Sequence, residues 1–199
     1  MTKIVGITGG IGSGKTTLSS ELKTYGFIVH DSDEEVKKLY NKPTKKFLSH
    51  LIKIGFKKCI KNKNQIDKKK IAEVVFSNKK IKENLESFIF TIVRNKRKSF
   101  IKKMINKKNK FAFIDIPLLF ENNLDDFFDV IISVISKKDI RFKRLGKSKN
   151  MNKEMFKKII KNQTSDLIRK KRSDIIIYNN LTLDKFRHNI KKIIELNFL

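Results

Sequence analysis

Residues 4–17 read Ile4-Val5-Gly6-Ile7-Thr8-Gly9-Gly10-Ile11-Gly12-Ser13-Gly14-Lys15-Thr16-Thr17, an apolar run that ends in Gly9-x-x-x-x-Gly14-Lys15-Thr16 and passes into a helix-forming stretch. This is the P-loop pattern in its required context, a strand, a glycine-rich turn and a helix start. The glycines let the backbone curl with its N–H groups converging, and the positive end of the helix dipole lies behind them, which makes a nest for a polyphosphate. Lys15 should reach the β- and γ-phosphates, and Thr16 stands where such loops place a hydroxyl ligand of the bridging Mg2+. A glycine-rich β–α turn that binds nothing would account for the glycines but leaves the Lys-Thr pair without a reason.

Outward from the loop, apolar segments at 3–8, 27–30, 111–115, 130–136 and 174–178 read as buried strands separated by helical patterns. Five strands alternating with helices predict an α/β fold with a parallel sheet. The stretch 15–25 carries apolar or small residues at one-face spacing and stops at Gly26, a suitable residue to close a helix. Ser32-Asp33-Glu34-Glu35 reads as a capping box that opens the next helix. Between Pro43 and Asn109 the strand pattern vanishes, and helical periods at 68–76 and 81–104 predict a helical insertion after the second strand. A second helical stretch, 152–171, follows a lysine-rich turn predicted at 146–150 and lies between strands four and five, a place where lids close on nucleotides.

With 39% hydrophobic residues, a chain of 199 residues can bury one real core that carries insertions. The single cysteine, Cys59, excludes an internal disulfide and a thiolate zinc site, which fits a reducing cytoplasm. No apolar run approaches the roughly 20 residues a bilayer span needs, so a cytoplasmic protein without a membrane partner is expected. The formal charge of +27 would suit a nucleic-acid partner if it were clustered, but lysines alternate with Ile, Asn and Phe along nearly every segment. That spread reads as compositional bias, and no aromatic-interleaved RNA motif or zinc-finger spacing accompanies it. The expectation is a monomer or weak homo-oligomer without a specific nucleic-acid partner.

In an open parallel sheet, ligands gather at the carboxyl ends of the strands. His30-Asp31-Ser32-Asp33 ends the second strand, and Asp115 ends the third, just before Pro117-Leu118-Leu119-Phe120-Glu121. Phosphoryl transfer needs one carboxylate to accept a hydroxyl proton and others to hold Mg2+ or its waters, for which Asp33 and Asp115 are the candidates. Asp33 could equally be a helix N-terminal acid favoured by the dipole, and Asp115 a strand-end turn residue.

These residues resemble one family closely, the dephospho-CoA kinases, which use ATP to phosphorylate the ribose 3′-hydroxyl of dephospho-CoA and give coenzyme A. The resemblance spans most of the chain and rests on Ile7-Thr8-Gly9-Gly10-Ile11-Gly12-Ser13-Gly14-Lys15-Thr16, on Asp31-Ser32-Asp33 and on Asp115-Ile116-Pro117-Leu118-Leu119-Phe120-Glu121. The last two, at these separations, are far more specific than a P-loop alone. Arg144 resembles the arginine that starts the family's lid, Gln163 its glutamine, and Ser173-Asp174-Ile175-Ile176-Ile177-Tyr178-Asn179-Asn180 its last strand. The resemblance implies a P-loop NTPase of adenylate-kinase-like core with a five-stranded parallel sheet (1–32, 109–137 and 173–199), a helical CoA-binding domain (33–108) and a lid (138–172).

Carried over residue by residue, the resemblance makes Asp33 the general base for the 3′-hydroxyl, with Lys15 and Arg144 neutralising charge on the phosphoryl in transfer. It assigns ATP to Gly9, Gly10, Ile11, Gly12, Ser13, Gly14, Lys15, Thr16, Thr17 and Asn179, and Mg2+ to Thr16 and Asp115. The acceptor, dephospho-CoA, falls to Asp31, Asp33, Lys68, Pro117, Leu118, Glu121, Gln163 and Arg169. Three positions depart from the pattern: Phe90-Thr91 stands where a His-Pro pair is common, Lys68 where an arginine is expected, and Ser148, between Lys147 and Lys149, at the second lid arginine. Lysine keeps charge but not the bidentate fork. Phe88, Phe90, Phe127 and Phe128 read as core filling, His30 as a packed strand-end residue, and His50 and His188 as histidines without ligand-spaced partners. The alternatives are another small-molecule or nucleoside monophosphate kinase of the same fold and, more remotely, a basic nucleic-acid-binding protein that uses ATP as a switch.

Overall fold

In the computed structural model, residues 1–61, 65–149 and 151–199 are described, with the side chains of 147–149 left out. The chain divides into two compact units, one of Met1–Asp31 with Ile101–Leu199 and one of Ser32–Phe100.

The first unit is built on five strands, β1 (Lys3–Gly9), β2 (Val29–Asp31), β3 (Phe111–Asp115), β4 (Val130–Ile135) and β5 (Ile175–Tyr178). They run parallel in the order β2-β3-β1-β4-β5, so the strand that feeds the P-loop is central. The near-continuous apolar strands are buried because helices cover the sheet. Val5, Ile7, Phe113 and Val134 are fully buried against Leu18 and Leu22 of α1 (Lys15–Thr24) and Phe186, Ile190 and Ile194 of α9 (Leu183–Asn197). The register sets Ile7 beside Asp115 and Asp115 beside Asp31. Asp115 therefore ends the strand next to the one that enters the glycine-rich loop, and Asp31 ends the strand beyond it.

The predicted fold class stands: a five-stranded parallel sheet with helices between the strands. Helix α1 closes where expected. Gly26 has φ +83°, and its N–H donates to the Lys23 carbonyl while that of Phe27 donates to Leu22, the bond pair of a Schellman turn.

Four local expectations change. The edge strand β2 starts at Val29, two residues later than predicted, because only Val29–Asp31 pair with β3. Ser32 is no cap: it is already the first residue of α2 (Ser32–Asn41), and its buried hydroxyl has no hydrogen-bond partner among the described residues. Strand runs directly into helix there, which leaves no extended residue at 32 for capping geometry. The turn expected at 146–150 is helical through Lys149, within α6 (Lys138–Lys149), since lysines are good helix formers and one glycine costs only about 1 kcal/mol. Finally, the stretch 152–171 is two helices, α7 (Lys153–Lys161) and α8 (Asp166–Arg172). The break between them is held open by tertiary bonds: Thr164 N–H donates to Glu121 Oε1 at 2.6 Å, and Gln163 Oε1 accepts from Ile11 N–H at 3.0 Å.

The second unit is helical: α2, α3 (Lys45–Lys53), α4 (Lys68–Ser77) and α5 (Lys79–Asn106), the last continuing into the first unit from Ile101. Thr44 caps α3 and Asp67 caps α4 through side-chain bonds to helix N–H groups. Its own core is formed by Leu39, Phe47, Leu51, Phe56 and Leu85.

Candidate active site

The P-loop joins β1 to α1, and its shape follows from its glycines. Gly14, the residue before α1, sits at φ +111°, where an L side chain is strained, and a Cβ there would run into Asn179 Nδ2. That amide donates to the Ser13 carbonyl at 2.8 Å in a buried contact. Within the loop, Ser13 N–H donates to the Gly10 carbonyl at 3.0 Å. Lys15 is half-buried and Thr16 exposed, and neither side chain has a protein partner among the described residues. An ammonium and a hydroxyl thus stand at the mouth of a nest of N–H groups, an arrangement suited to a polyphosphate and its cation.

Two strand ends lie on one side of the loop, that of β3 beside it and that of β2 one strand further out. Asp115, buried at the end of β3, accepts from Ser19 Oγ of α1 at 2.8 Å. Its neighbour Asp31 closes β2. Beyond β3, Pro117 accepts a long 3.4 Å bond from Thr8 Oγ1, Leu118 is exposed, and Leu119 and Phe120 are buried. Glu121 turns inward: Oε1 accepts from Arg169 Nη2 at 2.8 Å as well as from Thr164 N–H.

The segment after β4 supplies cations. Arg144 on α6 donates to the Asn179 backbone oxygen at 3.1 Å, to Asn179 Oδ1 at 3.0 Å and to Ser136 Oγ at 3.4 Å, and burial holds its guanidinium below its ordinary pKa. Asn179 is therefore a clip between the P-loop and Arg144. Arg169 on α8 has a side chain only 1% exposed and pairs with Glu121 and with Asp166, and it also donates to the Thr164 carbonyl. Asp166 in turn bonds Arg141 Nη2 at 3.2 Å.

In the helical unit, Asp33 is exposed in the acidic first turn of α2. Lys68 opens α4 and donates to Asn41 Oδ1 at 2.7 Å. It borders a cavity of about 400 Å3 whose walls include Tyr40, Ile71, Val75, Leu85 and Ile89, with Lys37 and Lys82 also at its edge. Burial raises the Tyr40 hydroxyl above its ordinary pKa. Phe88 fills core as expected, stacked on His50 at 3.6 Å between ring centroids. Phe90 and Phe127 do not: 41% and 37% of their surfaces stay exposed. The helix turn that buries Phe88 against Phe47 and His50 points Phe90 two positions away, to another face.

The dephospho-CoA kinase family model matches residues 3–185. A dephospho-CoA kinase of Fusobacterium nucleatum is 37% identical over 96% of this chain and 97% of its own length. The chain belongs to the dephospho-CoA kinase family. A solved dephospho-CoA kinase from Campylobacter jejuni superposes over 98% of this chain and 96% of its own, with 26% identity and a TM-score of 0.74. A shikimate kinase from Bacteroides thetaiotaomicron, at 13% identity and a TM-score of 0.58 over 99% of both chains, shares the fold alone.

For a dephospho-CoA kinase, the first unit brings together Gly9–Thr17, Asp31, Asp115, Glu121, Arg144, Gln163, Arg169 and Asn179. Asp33 and Lys68 lie in the second unit, and the side chains of Lys147, Ser148 and Lys149 lie outside the described residues. Sequence reasoning missed Arg141, Asp166 and Ser19. A signal for Arg141 was present: seven of the chain's 47 basic residues are arginines, and four of those seven fall within 138–172.

Proposed function

We propose that this chain transfers the γ-phosphoryl group of ATP to the ribose 3′-hydroxyl of dephospho-CoA, giving coenzyme A and ADP, the last step of coenzyme A synthesis. The observation that carries the reading is the P-loop nest with an unpartnered Lys15 in a chain of this family. The reaction's demands are positioning and charge stabilisation more than covalent chemistry. The N–H groups of Gly9–Thr17 hold the phosphates, Lys15 and Arg144 meet the charge that develops on the phosphoryl in transfer, and Asp33 accepts the 3′-hydroxyl proton. Exposure of the Asp33 carboxylate suits a base that must meet a substrate hydroxyl.

Mg2+ takes few protein ligands and keeps waters and phosphate oxygens. The exposed Thr16 hydroxyl and the Asp115 carboxylate at the end of β3 fit that demand and would hold it. When bound, it neutralises charge on the β- and γ-phosphates. Asp31, Pro117, Leu118 and Gln163 border the acceptor. Glu121 and Arg169 spend their charges on each other and serve by fixing the turn that carries Gln163. Within the helical unit, the cavity walled by Tyr40, Ile71 and Leu85 suits the apolar amide arm of dephospho-CoA, and Lys68 and its lysine neighbours suit its pyrophosphate. Residues 138–172 act as the lid. The protein works in the cytoplasm as a monomer or weak homo-oligomer; no described helix is long and apolar enough to cross a membrane.

The test is ADP release with Mg-ATP and dephospho-CoA, run beside nucleoside monophosphates and shikimate at physiological salt. Turnover with dephospho-CoA alone is expected. Turnover with another acceptor keeps the P-loop and overturns the substrate.

A further inference from the structure

Arg141, in the first turn of α6, is 2% exposed and belongs to no motif the sequence offers. A guanidinium carries five N–H donors, yet among the described residues only Nη2 finds an acceptor, Asp166 Oδ2 at 3.2 Å. Nε is buried with no partner. The one carboxylate is shared, since Asp166 Oδ1 faces Arg169 Nη1 at 3.4 Å. Burial pushes the Arg141 guanidinium below its ordinary pKa, Asp166 opposes that, and Arg169 adds to it. A buried cation so poorly matched by acceptors is costly unless a further anion completes it.

Its position identifies the anion. A Cβ on Gly10 would strike Arg141 Nη1, and one on Gly12 would come within 3.1 Å of the Arg141 carbonyl, so α6 packs directly on the opening half of the P-loop. The closing half and the first turn of α1 take the inner phosphates, and Lys15 reaches the outer ones. Beside Arg141, Gln163 receives the Ile11 N–H, and a cavity of about 380 Å3 opens between Lys138, Arg141, Gln163, Thr164 and Asp166.

We propose that Arg141 is a ligand of the terminal phosphate of ATP, its unused N–H groups completing the anion site at the opening half of the P-loop. The inference rests on the ATP-dependent reading above. It adds a second guanidinium beside Arg144 on α6, one turn earlier, and it makes Asp166 a positioning residue that aims Arg141 by holding Nη2.

The ratio of affinities for a non-hydrolysable ATP analogue and for ADP isolates the terminal phosphate. Calorimetric titration of the full chain with each nucleotide and Mg2+ would compare the wild type with Arg141→Met and Arg141→Lys. Lost charge-assisted hydrogen bonds should lower affinity for the analogue by about 10- to 100-fold in Arg141→Met, with ADP binding within about twofold of wild type. Arg141→Lys, which keeps charge without the fork, should fall between. A merely structural arginine would weaken both nucleotides alike, and that result, or a ratio unchanged in a variant that melts like the wild type, overturns the proposal. If Arg141→Met does not fold, Arg141→Lys decides by the same ratio. A wild type that binds neither nucleotide overturns the ATP reading itself, whereas one that binds both with a ratio untouched by either substitution overturns only the role of Arg141.

Discussion

Asn179 offers the sharpest test of how the nucleotide loop is held. Its side chain is buried, donates from Nδ2 to the Ser13 carbonyl at 2.8 Å and accepts at Oδ1 from Arg144 at 3.0 Å. In Asn179→Ala the Ser13 carbonyl becomes a buried acceptor without its partner, which costs about 1–3 kcal/mol. Arg144 keeps the Asn179 backbone oxygen at 3.1 Å and Ser136 Oγ at 3.4 Å, so its loss is only a fraction of the roughly 1.5–3 kcal/mol a full charged bond is worth. The sum is about 2–4 kcal/mol, or about 5–15 °C in Tm for a chain of this size. A loop no longer held at Ser13 is less preorganised, and KM for ATP should rise about 5- to 30-fold. Asn179→Asp separates the two bonds: it retains Arg144 but sets a carboxylate against the Ser13 carbonyl and beside the polyphosphate nest, so it should stay closer to wild type in Tm than in KM. Thermal melts and steady-state kinetics with varied Mg-ATP measure both. Wild-type KM in Asn179→Ala, with Tm lowered as stated, would refute the claim that this clip shapes the loop.

Further outcomes follow from other contacts. Asp33→Asn should lower kcat by at least about a hundredfold while lowering Tm by no more than about 4 °C, because the exposed Asp33 holds no core and its charge at the start of α2 is worth only about 0.3–1 kcal/mol; near-normal turnover would sink the assignment of Asp33 as base. Arg169→Met strands Glu121, whose side chain is 13% exposed and whose Oε2 already lacks a partner among the described residues, and breaking such a pair costs about 3–5 kcal/mol, a loss of about 10 °C in Tm. A melting point within about 2 °C of wild type would show the pair to be dispensable. His50 gives a pH signature: burial outweighs the hydrogen bond to the Asn84 backbone and, with Lys53, holds its imidazole below the ordinary value of 6.5. The folded state therefore binds fewer protons than the unfolded one, so this contribution is complete above about pH 6.5 and declines as pH falls toward the folded value. Urea midpoints at pH 7.5 and 5.5 should drop less in His50→Leu than in the wild type, and equal drops would exclude His50 as the cause.

What could be read from the chain was what is contiguous in it. The P-loop writes its geometry in glycines within nine residues, and the five apolar segments mark the strands because a parallel sheet buries both faces. Tertiary bonds defeated the rest. Ser165 is a local cap for α8, its side chain accepting from Ile168 N–H, but nothing in 162–165 reveals that Glu121, more than forty residues earlier, will take the Thr164 N–H and fix the break between α7 and α8. Ser32 has the composition of a cap, but the directness of the β2–α2 junction, which no residue at 32–35 encodes, makes it helical. Phe88 and Phe90 are equally apolar in sequence, and only the location of Phe47 and His50 decides which is buried.

Arg141 was hidden in the sequence by the abundance of lysine around it. In a chain with 47 basic residues a cation carries little information by its charge. Among the described residues, the lysines in ion pairs all have side chains that are half exposed or more, where a pair is worth about 0–1 kcal/mol. No described lysine is buried, but three of the seven arginines are: Arg97, Arg141 and Arg169. An ammonium is a compact, strongly hydrated point charge, whereas a guanidinium is less costly to dehydrate and binds two oxygens in one plane. Where only solubility or diffuse charge is needed, lysine serves; where a cation must sit dry and hold several acceptors, it does not. The pairing of Arg172 with Asp125 through two nitrogens, with its guanidinium over the Phe120 ring, follows the same rule at the surface of α8. In a lysine-saturated sequence the arginines are thus the informative cations, and their concentration in 138–172 singles out the segment that packs on the nucleotide loop.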